Sequence, residues 1–138
     1  MRRPAIAAII VLSCSISASA SNFDAGGRLG DYLDLVASAN AGEARVEITG
    51  VCASACTMKL GARGACVHAD TRLLFHAARD ADGRFDRLGT LMMLREYPRR
   101  IRAWAKSRRA LDSQNFTAMS GAEAIGLGVP DCDVRRGR

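Results

Sequence analysis

The sequence predicts a small α/β domain, a layer of a few mainly parallel strands with helices packed against it. Three observations lead there. Two apolar runs of strand length, at 46–49 and 72–76, are separated by a stretch that reads as helix. Helix and buried strand alternate along the chain, which fits parallel pairing through crossovers. The length of 138 residues suits one domain, not two.

The chain opens on what reads as a secretory signal. Arg2 and Arg3 form a basic start, residues 5–12 an apolar stretch, and Ala18-Ser19-Ala20 a small-x-small cleavage site. Cleavage after Ala20 is expected to leave a mature chain beginning at Ser21. A lipid-anchored start at Cys14 is the alternative, and Leu12 directly before Ser13 fits it poorly. The apolar stretch is too short to cross a bilayer, and no later one is longer, so no transmembrane segment is expected. The expected division is a signal over 1–20, one domain over 21–132 and a basic tail over 133–138. The expected location is the periplasm or the exterior.

Residues 21–27 lead to the pair Gly26-Gly27. Leu29, Tyr32, Leu33, Leu35 and Val36 recur at helical spacing, predicting a helix over 29–39, which "NAGEA" breaks. "RVEITG" alternates at Val46 and Ile48, a strand ending at Gly50. From Ser54, "SACTMKLGA" reads as a short helix ending near Gly61 and Gly64. "ACV" is a candidate short strand. "TRLLFHA" is a buried strand with His76 at its exit, followed by a polar loop. From Thr90 to about residue 110 the pattern is helical, with Leu91, Leu94, Tyr97, Ile101, Trp104 and Ala105 on one side and Pro98 interrupting. A last short helix in "SGAEAIGLGVPDC" carries the Ser120–Glu123 spacing of a capping box, with a terminal strand or turn after it.

Composition excludes some functions. Loss of the signal would remove two of the 20 basic residues and none of the 14 acids, so the net charge falls from +6 to +4 over 118 residues. That surplus is modest and spread out, and aromatics at 5% offer no stacking platform. Nucleic acid is not an expected partner; weak association with an anionic envelope component, or with a peptide, is the remaining role for the charge.

Cys52, Cys56, Cys66 and Cys132 would remain after export, an even number in an oxidising compartment. Two disulfides are expected, and staples suit so small a core. Three pairings are open. Because Cys52 and Cys56 flank one serine on a turn, each is expected to pair with a distant partner, Cys66 or Cys132. On paper these cysteines with His68 and His76 could hold zinc, but their spacing matches no common pattern. No metal or other cofactor is expected.

The chemistry centres on Ser54 and His76. A serine just beyond a strand, in the first turn of a helix, points its hydroxyl at the carboxyl edge of the sheet, where ligands bind in open α/β layers. Free N–H groups of that helix face a developing oxyanion there. His76 ends a second buried strand, and parallel strands put their exits on one edge, so contact between the two is geometrically reasonable. Gly26-Gly27 could bring backbone N–H donors to the same edge.

A glycine pair before a helix, GxxxS at a strand–helix turn, "FH" closing the next strand and "MSGAEAIGLGVPD" near the end resemble, in that order, the ClpP-type serine peptidases of the ClpP/crotonase superfamily. More closely, "VEITGVCASACTMKL", "LLFHAA" and "YPRRIRAW" resemble small exported alphaproteobacterial proteins distantly related to ClpP. The resemblance runs from about Gly26 to Cys132. It implies a trimmed ClpP/crotonase-like layer, with Ser54 in the nucleophile's place and His76 in the general base's. Ala55 N–H and the Gly26-Gly27 backbone then match the oxyanion hole. The third member departs. The family's acid lies four residues before the serine matched by Ser120, and Phe116 stands there with Asn115 beside it. Asp112 is the nearest acid and the candidate substitute. Without an orienting acid, histidine loses control of its tautomer and a triad-type rate falls by orders of magnitude.

Plainer readings stand beside these. Ser54 suits a helix cap or a close approach of helix and strand. His76 suits a buried histidine bonded to a backbone carbonyl. His68 reads as a solvated loop residue, Trp104, Tyr97 and Met92-Met93 as core, and the arginines of 95–109 as the wet face of an amphipathic helix. Two functions follow. The first expectation is a non-catalytic, degenerate ClpP-like relative with a binding or structural role in the cell envelope. The alternative is a weak serine hydrolase or peptidase using Ser54 and His76.

Overall fold

The computed structural model describes residues 22–134. The expected signal and cleavage site, Cys14 and the end of the expected basic tail lie outside them. The elements run β1 (Phe23–Asp24), α1 (Leu29–Ala41), β2 (Val46–Ile48), β3 (Val51–Ala53), a 3₁₀ helix (Ser54–Gly61), β4 (Ala65–Val67), β5 (Arg72–Phe75), α2 (Arg87–Glu96), α3 (Arg99–Ser107), β6 (Thr117–Ser120) and α4 (Gly121–Gly126).

Two sheets form. One has the order β1-β3-β5-β6, and the other pairs β2 with β4. β1 with β3, β3 with β5 and β2 with β4 are parallel, while β5 and β6 are antiparallel. The mixed, mostly parallel α/β class is therefore as expected; β6 is an addition, because its "TAMS" carries too few apolar residues to show as a strand. The strand expected to end at Gly50 is β2, and a further strand that was not expected, β3, follows it. Gly50 divides the two at φ +66°, and a Cβ there would lie 2.0 Å from the Asn22 carbonyl oxygen, so the backbone of 22 passes through the space a side chain would need. The chain thus leaves one sheet in β2 and enters the other in β3.

The core lies where the 3₁₀ helix, α2 and α3 close over the larger sheet. Leu73 and Phe75 of β5 are fully buried with Met58, Met93, Tyr97 and Ile101. The Phe75 ring meets Tyr97 edge-on at 5.4 Å and Trp104 at 5.3 Å, so the aromatic residues of the helical stretch do serve as core. Pro98 separates two helices, α2 and α3, and Asp86 caps α2 by accepting from the Gly89 N–H. The Ser120–Glu123 capping box opens α4.

All four cysteines among the described residues are bonded, but not in the pairs expected. Cys52 joins Cys56, with Cα atoms 5.3 Å apart, and Cys66 joins Cys132, at 4.9 Å. The reason is local: the chain folds back at the strand-to-helix turn and brings Cys52 of β3 onto the third residue of the 3₁₀ helix. Cys66 is carried by β4 to the segment after α4, where Val67 bridges Asp131. His68, far from being a solvated loop residue, is half-buried: its Nε2 lies 2.5 Å from Glu47 Oε1 and its Nδ1 3.2 Å from Asp133 Oδ1.

Candidate functional site

Ser54 sits at φ +57°, in the left-handed region that serine seldom occupies. Such a conformation costs about 1–2 kcal/mol for a residue with a Cβ. Three features hold it there. β3 ends at Ala53 and the helix starts at once, so the reversal falls on one residue. The Cys52–Cys56 bond spans that residue. Gly26 lies so close that a Cβ on it would be 2.7 Å from Ala53 O and 2.8 Å from Ser54 Cβ. Capping does not explain the serine, because Ala53 is the N-cap and its side chain caps nothing. Among the described residues the Ser54 hydroxyl has no hydrogen-bond partner.

His76 follows β5 directly and is buried, at 3% exposure. Its Nδ1 lies 2.6 Å from the Ala77 carbonyl oxygen. A carbonyl only accepts, so Nδ1 carries the hydrogen and Nε2 is left as the ring's acceptor. Burial holds the imidazole below the usual histidine range; the Ala77 carbonyl opposes this, and the nearby Arg79 charge adds to it. The ring is thus neutral at neutral pH, the state a general base requires.

Ser54 and His76 line the same cavity of about 270 Å³, together with Gly26, Gly27, Arg28 and Arg79. Parallel strands β3 and β5 are neighbours, so their exits fall on one edge; the strand expected before Ser54, now β2, lies in the other sheet. No hydrogen bond joins the two side chains in this structure; such contacts often tighten only when substrate is bound.

The remaining expected residues divide. The Gly26 N–H does not face the cavity as a donor, because it bonds Asp24 Oδ1 at 3.0 Å. Gly27 N–H has no partner among the described residues, and Ala55 lies in the open first turn of the 3₁₀ helix, where N–H groups lack intrahelical acceptors. Asp112 does not reach the cavity. Its carboxylate takes a 2.6 Å ion pair from Arg109 Nε and borders a different cavity between α2 and α3. Phe116, in the acid's position, does reach the histidine: the two rings meet edge-on with centroids 4.9 Å apart.

Sequence reading missed the groups that hold the glycine pair. Asp24 accepts from Gly26 N–H and from Tyr32 Oη at 2.5 Å, and pairs with Lys59 Nζ at 2.6 Å. Burial pushes its carboxyl up, but the bonds from Lys59, Tyr32 and Gly26 together outweigh that and hold it below the usual range. Arg28 and Arg79 were also missed. Their signal was position alone, since one follows the glycine pair and the other stands three residues after His76. The zinc set weighed from the sequence is not available, because every cysteine in it is in a disulfide. No helix among the described residues is long and apolar enough to cross a membrane. Comparison with known protein families, with curated proteins and with solved structures finds no match.

Proposed function

We propose that this chain is a slow serine hydrolase, exported and distantly ClpP/crotonase-like, in which a Ser54–His76 pair acts without a carboxylate. The observation that carries the reading is the strained serine. A non-glycine residue held at φ +57° between strand and helix, pinned by its own disulfide and facing a buried neutral histidine's cavity, matches the strand-to-helix elbow that exposes a nucleophilic serine. Ser54 Oγ bonds the carbonyl carbon of an ester or amide while His76 Nε2 takes its proton. His76 returns that proton to the departing alkoxide or amine. Water, deprotonated in the same way, then releases the acid and restores Ser54. The Ala77 carbonyl supports the step that a triad's acid performs in part: it sets the tautomer. It brings no full negative charge to stabilise imidazolium, which is why the rate is slow. The two disulfides are compatible with an extracytoplasmic setting and support export.

A second reading, a non-catalytic binding relative, is favoured by Phe116 packed on His76 and by the missing Ser54–His76 hydrogen bond. A fluorophosphonate probe separates them. Labelling that is abolished by Ser54→Ala and by His76→Gln, both folded by circular dichroism, supports the hydrolase. A folded protein that takes no label at high probe concentration supports the binding relative and overturns the hydrolase.

A further inference from the structure

The cavity that holds Ser54 has a one-sided charge. Among the described residues that line it, Arg28 and Arg79 are the only charged ones and none is a carboxylate. Neither guanidinium has an ion pair or side-chain hydrogen bond among the described residues. Both side chains are exposed, and Arg72, Arg87, Arg95, Arg99, Arg100 and Arg108 share that state; what sets Arg28 and Arg79 apart is that both border this cavity. Arg79 lies close enough to His76 to act on its proton affinity.

Backbone adds to the same sign. Gly27, Arg28 and Leu29 edge the cavity, and they are where the 13-residue α1 begins. The N-cap of α1 is Arg28, which offers no side-chain acceptor, so the first N–H groups of the helix are not capped by a side chain there. The positive end of the helix dipole therefore points to the space that two guanidiniums border. Two acids stand nearby and neither cancels the field. Asp24 is spent on Lys59, Tyr32 and Gly26, and Asp31 lies in the first turn of α1 without lining the cavity.

We propose that this cavity takes an anionic acyl substrate, one that carries a carboxylate a few bonds from the carbonyl attacked by Ser54. For its catalytic half the proposal rests on the hydrolase reading; for binding it does not. Arg28 and Arg79 supply paired N–H donors that suit a planar carboxylate, and the open turn of α1 supplies backbone donors. The same cations raise the local concentration of anions over neutral compounds.

The test has two arms. In the first, Ser54→Ala, which removes turnover, is titrated with glutarate and with the neutral glutaramide while backbone amide shifts of 25–29 and 76–79 are followed. Saturable shifts from glutarate alone, weakened at least tenfold in Arg28→Gln and in Arg79→Gln, support the proposal. Equal response to both compounds, or glutarate binding that survives both substitutions, overturns it. In the second arm, the native chain is assayed on 4-nitrophenyl hemiglutarate and 4-nitrophenyl butyrate. The hemiglutarate is expected to have the higher kcat/KM, by tenfold or more, and Arg79→Gln is expected to lower that ratio of hemiglutarate to butyrate at least tenfold. An active enzyme with no preference overturns the proposal and leaves the hydrolase standing. Glutarate binding without turnover of either ester overturns the hydrolase and leaves the anion site standing.

Discussion

Phe116→Glu tests the claim that the site lacks only the negative charge. The Phe116 ring centroid stands 4.9 Å from that of His76, and at 56% exposure it can be replaced with little loss of packing. A glutamate carboxylate extends about as far as the ring it replaces. At that distance a unit charge pair is worth about 1 kcal/mol in water and about 3 kcal/mol at an effective dielectric near 20. A half-exposed position lies toward the lower end, about 1.5 kcal/mol, or roughly one pKa unit. The sign is upward, because a carboxylate favours imidazolium. Ala77 already sets the tautomer, so the gain in rate is expected to be about tenfold and not the roughly 10⁴ by which replacing a triad's acid lowers kcat. Phe116→Gln keeps size and polarity without the charge. The measurements are a proton NMR titration of His76, assigned by comparison with a His68→Gln variant, and the rate of fluorophosphonate labelling. Failure of Glu to raise the His76 pKa, or an equal gain in rate from Gln, would refute the reasoning.

Ser54→Gly should remove labelling yet raise the thermal midpoint: relief of about 1–2 kcal/mol of left-handed strain exceeds the roughly 0.5–1 kcal/mol of added chain entropy. A lower midpoint would show that the elbow is not strained. Gly26→Ala should destabilise by more than about 2 kcal/mol in urea titration, since its Cβ would meet backbone atoms of Ala53 and Ala55 at 2.7 and 2.8 Å with φ at +79°. Hydrolysis should fall as pH drops below the ordinary histidine value, because His76 is held low. The unfolded chain takes that proton first, so stability should also decline from about pH 6.5 downward to the folded-state pKa; a His76→Gln variant should show a shallower decline. Replacing Cys66 and Cys132 by serine should cost about 4 kcal/mol for a closed loop of some 66 residues, against about 2 kcal/mol for the short Cys52–Cys56 loop. Only the second replacement should slow labelling disproportionately to its stability cost, by loosening Ser54.

Local patterning was enough for the elements whose signal is short-range. The spacing of Leu29, Tyr32, Leu33 and Val36 announced α1, Pro98 announced the break between α2 and α3, and Ser120 with Glu123 announced α4, because each depends on residues within one or two turns. It placed His76 at the exit of a buried strand, but the strand it offered for Ser54 lies in the β2–β4 sheet, and it is β3, which it did not show, that aligns Ser54 with His76. What it could not carry was contact across the chain. Asp112 looked like a substitute acid by distance along the chain, and Arg109 claims it through space. Gly26 looked like an oxyanion donor, and Asp24 takes its N–H.

The amino-acid order by itself thus determined the class of layer, the even set of oxidised cysteines and the histidine at a strand exit. These follow from periodicity, apolar run length and residue type, which are properties of neighbours. Only the tertiary structure decided which cysteines meet, that Gly50 sends the chain into a second sheet, that Ser54 is held left-handed and that two unpaired arginines border it. Those depend on where β1, α1 and the loop after β5 converge, and convergence is set by packing across dozens of residues, where no local pattern reaches.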